Sequence, residues 1–286
     1  MVAGAIRVGM CPMLVVGGAP EANRRRAAAM VGDAARRGCQ AAVLPECLDL
    51  GWTDPAARPL AQPVPGPHCD VLAAAARQHG LHVAAGLVER SGERLFHAAV
   101  LINPRGSVLL KHRKLHALAI AHDLYAVGDR LAVGDRLAVV ETPLGTLAVD
   151  LGADNFPESL AIGPELARMG AQALSSPSAW AVAADHGPQA EPYGRLSREA
   201  YGESGRLHDV PVIGVSGVGR IAAGPWQGRT LIGCSLATAG RGEVLAVGPY
   251  GEAAEAVIVV DVPLRQPTAS GDRLDRDLAA RGYAGP

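Results

Sequence analysis

The chain has 286 residues, a formal net charge of −1, and a hydrophobic fraction of 49% of which aromatics supply only 3%. The near-neutral charge excludes the basic surface that nucleic acid or an anionic membrane would require, and no apolar run approaches the roughly 18 residues of a membrane span. The core must therefore be built from Ala, Val and Leu, which suits sheets covered closely by Ala-rich helices.

Arg7 interrupts the first apolar stretch and no Ala-x-Ala-type cleavage site follows it, so a secretory signal is not expected. The five cysteines (Cys11, Cys39, Cys47, Cys69, Cys234) are odd in number and scattered. That pattern predicts reduced thiols and a cytoplasmic protein. In chain order, β-rich runs are expected at 6–16, 41–44, 82–87, 98–103, 108–111, 137–141, 147–151, 210–215, 230–236 and 256–262. Helical spacing is expected over 21–37, 69–79, 158–169 and 195–207, with Gly38, Gly80 and Gly170 as stops for the first three. Early strands alternate with helices and later ones pair across turns such as Asn103–Gly106 and Pro143–Gly145. The mixture predicts a layered α/β sandwich. No linker divides the chain, so one domain over 1–286 is expected, with a tail from about 264. The hexapeptide Ala-Val-Gly-Asp-Arg-Leu occurs twice in succession over 126–137 and reads as a lengthened surface loop.

Three positions lie where strand-like runs end, the place where open α/β architectures gather their ligand sites. Glu46 stands in Leu44-Pro-Glu46, Lys114 in His112-Arg-Lys114, and Gly152 at the head of a turn that continues Asp154-Asn-Phe-Pro-Glu158. Each alone reads blandly: an exposed acid, a solvated basic loop, a helix start. Other motifs fail on context. Gly217-Val-Gly-Arg-Ile-Ala222 does not open a helix, so no dinucleotide site is expected. Dispersed histidines and unpaired cysteines give no metal site, and no cofactor is expected.

Taken together, in this order and spacing, these segments resemble the nitrilase (carbon–nitrogen hydrolase) superfamily from about Ile6 to Val262. Thr142-Pro-Leu-Gly145 and Gly233-Cys-Ser-Leu236 add to the likeness. The resemblance implies a four-layer αββα sandwich, a homodimer or larger assembly, and a small-molecule amide, carbamoyl or nitrile substrate. It implies Glu46 as general base and Lys114 as electrostatic stabiliser. It also implies that the Ala153 N–H is an oxyanion donor and that Trp180 is a substrate contact. Gly152 falls where the family keeps its cysteine nucleophile, so the usual thioester route is closed. Many relatives carry a second Glu after the Lys; here Asp123 is the first carboxylate after Lys114 and is the candidate for that role. Neither neighbouring thiol is expected to substitute: Cys47 should point away from Glu46 across a strand, and Cys234 should lie in a buried strand. Glycine at 152 is expected to relieve a left-handed backbone there. Three functions remain open: a hydrolase in nucleophile-free form, a divergent enzyme using Glu46 and Lys114 for non-covalent acid–base chemistry, and a binding protein without chemistry.

Overall fold

A computed structural model describes residues 4–116, 134–155, 162–187, 195–265 and 280–282. Fifteen strands are assigned among them. The first sheet takes β1 (Ala5–Met10), β2 (Ala41–Val43), β3 (His82–Ser91), β4 (Arg94–Ile102), β5 (Val108–Arg113) and β15 (Ile258–Pro263), in the order β15-β1-β2-β3-β4-β5. The second takes β6 (Val139–Thr142), β7 (Gly145–Val149), β8 (Ala173–Ser178), β10 (Val212–Ser216), β13 (Leu236–Thr238) and β14 (Val244–Val247), in the order β14-β13-β10-β8-β7-β6. A small third sheet joins β9 (Ala181–Val182), β11 (Val218–Arg220) and β12 (Thr230–Ile232).

Each large sheet has a parallel centre, β1-β2-β3 in one and β7-β8-β10 in the other, flanked by antiparallel neighbours. Parallel pairs need crossovers. Helices α1 (Pro20–Arg36) and α3 (Pro67–His79) lie in the first sheet's connections, with the short α2 (Ala57–Leu60) between them; α4 (Ile162–Arg168) and α5 (Arg195–His208) lie in the second's. The period-two alternation of strand residues then sorts the layers. Val8, Met10, Val43 and Leu101 face Val149, Ile213, Val215 and Ala237 between the sheets. Ala42, Leu44, Val83 and Ala85 face Ala27, Val31, Ala34, Leu72 and Ala76 of the first helical layer. Ala148, Leu174 and Val212 face Leu166, Ala167, Ala200 and Tyr201 of the second. The result is the αββα sandwich. Small residues make the close layering possible: a Cβ at Gly9 would stand 2.7 Å from that of Ala34.

The helices fall close to the expected spans, and Gly38, Gly80 and Gly170 end them at φ 76°, 69° and 100°. Differences have local causes. The run 230–236 is two strands, because Gly233 and Cys234 turn through φ 71° and 56°. β14 went unread because its Val244 and Val247 sit on an edge strand with weak alternation and much exposure. β8 carries the serine-rich Ser175-Ser-Pro-Ser178, a poor strand signal in sequence that is stabilised by parallel partners on both sides. Asp123, residues 126–133 of the hexapeptide duplication, residues 156–161 and most of the C-terminal tail lie outside the described residues. No helix among the described residues is long and apolar enough to cross a membrane.

Candidate active site

β2 stops at Val43 because Pro45 has no N–H to continue a ladder. The chain then turns over 46–50 and passes tightly across β3, where Gly86 donates its N–H to the Pro45 carbonyl at 2.9 Å. Gly86 is required here for space: a Cβ would stand 2.5 Å from the Glu46 Cα and 3.0 Å from the Pro45 oxygen. From the other sheet, Ser178 accepts the Glu46 N–H at 3.1 Å. Glu46 is thus clamped between the sheets by its backbone. Gly86→Ala is expected to cost about 1–3 kcal/mol by overpacking and to shift the carboxylate, measured as a fall in urea midpoint together with a fall in any Glu46-dependent rate.

Lys114 follows β5 and is fixed by donating its N–H to the His97 carbonyl of β4 at 2.8 Å. Its ammonium donates to Glu46 Oε1 at 2.7 Å, and His97 Nδ1 reaches the same oxygen at 2.8 Å. All three residues are buried. Burial opposes charge on both members of the pair, but each is outweighed by its partner. Lys114 and His97 hold the Glu46 carboxyl well below the usual carboxylate range, and Glu46 holds the Lys114 ammonium above its ordinary value. Both donors converge on Oε1, so one carboxylate oxygen carries both hydrogen bonds. His97 Nε2 is buried without a hydrogen-bond partner among the described residues.

Gly152 opens a 3₁₀ turn, Gly152–Asn155, that follows β7. Asp154 ties the turn to the segment around Lys114, from the end of β5 to His116. Its carboxylate accepts the His116 N–H at 2.9 Å and the Leu115 N–H at 3.2 Å, and meets His112 Nε2 at 2.8 Å. The structure therefore brings Glu46, Lys114 and the Gly152–Ala153 turn to one end of the facing sheets. Gly152 is not among the left-handed glycines, so the expected relief of backbone strain is absent. What its missing side chain gives is room: a Cβ there would lie 3.1 Å from Ser178 Oγ and 3.2 Å from Ser178 Cβ. Trp180 lies just beyond β8, half-buried, with its N–H on Ser216 Oγ at 2.8 Å.

Cys47 differs from expectation. Residues 46–50 form a turn and not a strand, and Cys47 takes φ 50°. One donor atom each from Glu46, Cys47 and His97 therefore lies within 4.8 Å of the other two. The Lys114 ammonium already sits on that carboxylate. Burial, then the charges of Glu46 and Asp49, hold the Cys47 thiol well above its ordinary value. An occupied ion pair beside a protonated thiol is a poor nest for a cation.

His97, Ser178 and Tyr201 were missed in the sequence. A signal for His97 existed, since it interrupts the apolar run Leu95-Phe-His-Ala-Ala-Val100 at a buried strand position.

The profile of the carbon–nitrogen hydrolase family matches residues 7–269. A nitrilase of Pyrococcus abyssi is 27% identical over 259 residues, 86% of each chain. The omega-amidase NIT2 of Danio rerio is 31% identical over 99 residues, 34% of this chain and 36% of that one. Among solved structures, a nitrilase-superfamily amidase from Nesterenkonia AN1 superposes with a TM-score of 0.76 over 99% of this chain and 100% of that one, at 19% identity. A carbon–nitrogen hydrolase from Helicobacter pylori G27 gives 0.74 over 98% and 93%, at 18% identity. This chain belongs to the carbon–nitrogen hydrolase family.

Proposed function

We propose that this chain hydrolyses a non-peptide C–N bond of a small amide, carbamoyl or nitrile compound at the Glu46–Lys114 site, with residue 152 supplying no nucleophile. The observation that carries this reading is the buried, ionised pair with both donors on Oε1. A structural role alone would not call for it, because a buried ion pair is seldom worth more to stability than apolar residues of the same volume. A preorganised cation beside a carboxylate suits a carbonyl that gains negative charge as it is attacked. Glu46 takes a proton from the attacking water and returns it to the nitrogen as the C–N bond breaks, and Lys114 with the Ala153 N–H faces the developing oxyanion. The relatives named above are nitrilases and amidases, and the Nesterenkonia amidase is described with a cysteine at its active site. On this reading Gly152 stands at the corresponding place in this chain. The chain is expected to act as a homodimer or larger homo-oligomer.

The test is ammonia or amine release from a panel of amides, carbamoyl compounds and nitriles. Turnover by the parent chain is expected, and Glu46→Gln is expected to lower it about a hundredfold or more, in line with general acid–base catalysis. Turnover that Glu46→Gln leaves unchanged would defeat the proposal. A panel on which neither the parent nor Gly152→Cys is active would favour a binding protein.

A further inference from the structure

β4 meets both members of the ion pair, and it does so at one residue. Strand alternation puts Leu95, His97 and Ala99 on one face of β4. Leu95 and Ala99 are ordinary core residues, and His97 is the polar interruption between them. It stands opposite Val88 of β3, two residues along from the Gly86 over which the Glu46 backbone is seated. β5 pairs with β4 as far as Arg113 opposite Ala98, and the chain leaves the sheet with the Lys114 N–H on the His97 carbonyl at 2.8 Å. The His97 ring meets Glu46 Oε1 through Nδ1, also at 2.8 Å. One residue thus holds Glu46 by its side chain and Lys114 by its backbone.

An ionised carboxylate accepts and cannot donate, so Nδ1 carries a proton and donates it to Oε1. Packing does not account for the ring. His97 is 1% exposed, and its Nε2 is buried without a partner among the described residues. A phenyl group would fill the same space with no polar atom to desolvate. The Nδ1 bond is what the imidazole adds. It also differs in kind from the bond that Lys114 makes. The ammonium is a charge on a flexible stem with rotatable donors, and it can follow the carboxylate as that group turns. The imidazole is a rigid ring with a single N–H at Nδ1, on a strand hydrogen-bonded along both edges. It fixes a direction. The Ser178 hydroxyl has no such part: it donates to the Ser176 carbonyl at 3.0 Å, lies 3.1 Å from the Tyr201 hydroxyl, and bonds to neither side chain of the pair among the described residues.

Resting on the hydrolase reading above, we infer that His97 is the positioning residue of the Glu46–Lys114 pair. Its Nδ1–H fixes the carboxylate that takes the proton from water, and its carbonyl fixes the chain that carries the ammonium. It acts through those two residues and not on the substrate itself. Removing the ring donor leaves the Lys114 charge in place but frees the carboxylate to turn about its own side-chain bonds. The loss falls on kcat more than on KM, because the direction of the base matters in the step that moves the proton. Asparagine carries its amide nitrogen as many bonds from Cα as Nδ1 and can supply the same N–H. Phenylalanine keeps the ring and supplies none.

The test compares His97→Asn and His97→Phe with the parent on the amide, carbamoyl and nitrile panel. In His97→Phe, kcat is expected to fall about ten- to a hundredfold with KM changed by less than about twofold, and in His97→Asn it is expected to stay within about fivefold of the parent. A packing role predicts the opposite order, so a phenylalanine variant as active as the asparagine one overturns the inference. The bond is also read in the parent chain, which needs no variant at position 97 to fold. With histidine labelled by nitrogen-15 in the ring, a slowly exchanging Nδ1–H signal from His97 is expected, moving upfield in Glu46→Gln as a neutral acceptor replaces a charged one. A proton on Nε2 alone, or a signal that Glu46→Gln leaves in place, counts equally against the inference. Turnover that needs Glu46 but is as fast in His97→Phe as in the parent removes the positioning role and leaves the hydrolase reading standing. A panel without turnover removes the hydrolase reading, and the Nδ1–H signal then decides by itself whether His97 fixes Glu46.

Discussion

Lys114→Met is expected to destabilise the fold by about 3–5 kcal/mol at pH 7, the usual result of leaving a buried charge without its partner. Glu46 would keep only the His97 hydrogen bond. Burial, which the ammonium now outweighs, would then push its carboxyl upward instead of down. The sign of the pH dependence inverts with it. In the parent the depressed Glu46 contributes stability above the ordinary carboxylate range and loses it as pH falls through the folded value. In Lys114→Met the raised carboxyl favours the protonated folded state, so that variant gains relative to the parent as pH falls from 7 toward 4. Urea unfolding at pH 7 and pH 5 should therefore show a narrowing gap. The double variant Glu46→Gln/Lys114→Met has no buried charge at the site and should lie within about 2 kcal/mol of the parent. A double variant as unstable as the single one would mean that Lys114 contributes through packing and not through its charge.

The architecture was more legible than the site. Apolar alternation and glycine stops located the helices and most strands because those signals are local. β8 and β14 depended on partners far along the chain, and their sequences carry little local preference. Glu46 and Lys114 were legible because each stands at a strand end inside a specific segment. Their shared oxygen was not, since nothing in the sequence tells that His97 on β4 and Lys114 beyond β5 reach the same atom. Cys47 was misplaced by treating Pro45–Cys47 as strand, although the proline already forbade it. Tyr201 and Ser178 were out of reach for a further reason. Their meeting depends on Gly214, 13 positions after one and 36 after the other, and on the absence of a single methyl group there.

Asp150→Asn is expected to raise stability above neutral pH and to change it little at pH 4. Asp150 is fully buried two residues before Gly152. Its Oδ2 accepts the Asn155 amide at 2.8 Å, while Asp150 Oδ1 and Asn155 Oδ1 are both buried without partners among the described residues. One proton on Asp150 would satisfy both atoms, closing a reciprocal acid–amide pair. Burial, then the neighbouring charge of Asp154, push the Asp150 carboxyl from its ordinary 3.8 up to about 7, against smaller opposing effects of Ser176, His112 and Asn155. A carboxyl raised in the folded state contributes its full stability below its unfolded pKa and loses it as pH rises, here across pH 4 to 7. Three units at about 1.4 kcal/mol each bound the loss at about 4 kcal/mol. Asparagine at 150 can form the same two hydrogen bonds at every pH, its carbonyl accepting from Asn155 and its amide donating back. At pH 8 the variant should melt about 5 °C above the parent, and the two melting curves should converge by pH 4. Parallel curves across that range would mean that Asp150 is ionised in the folded chain. The reciprocal pair would then not be what holds the Gly152–Asn155 turn against β8.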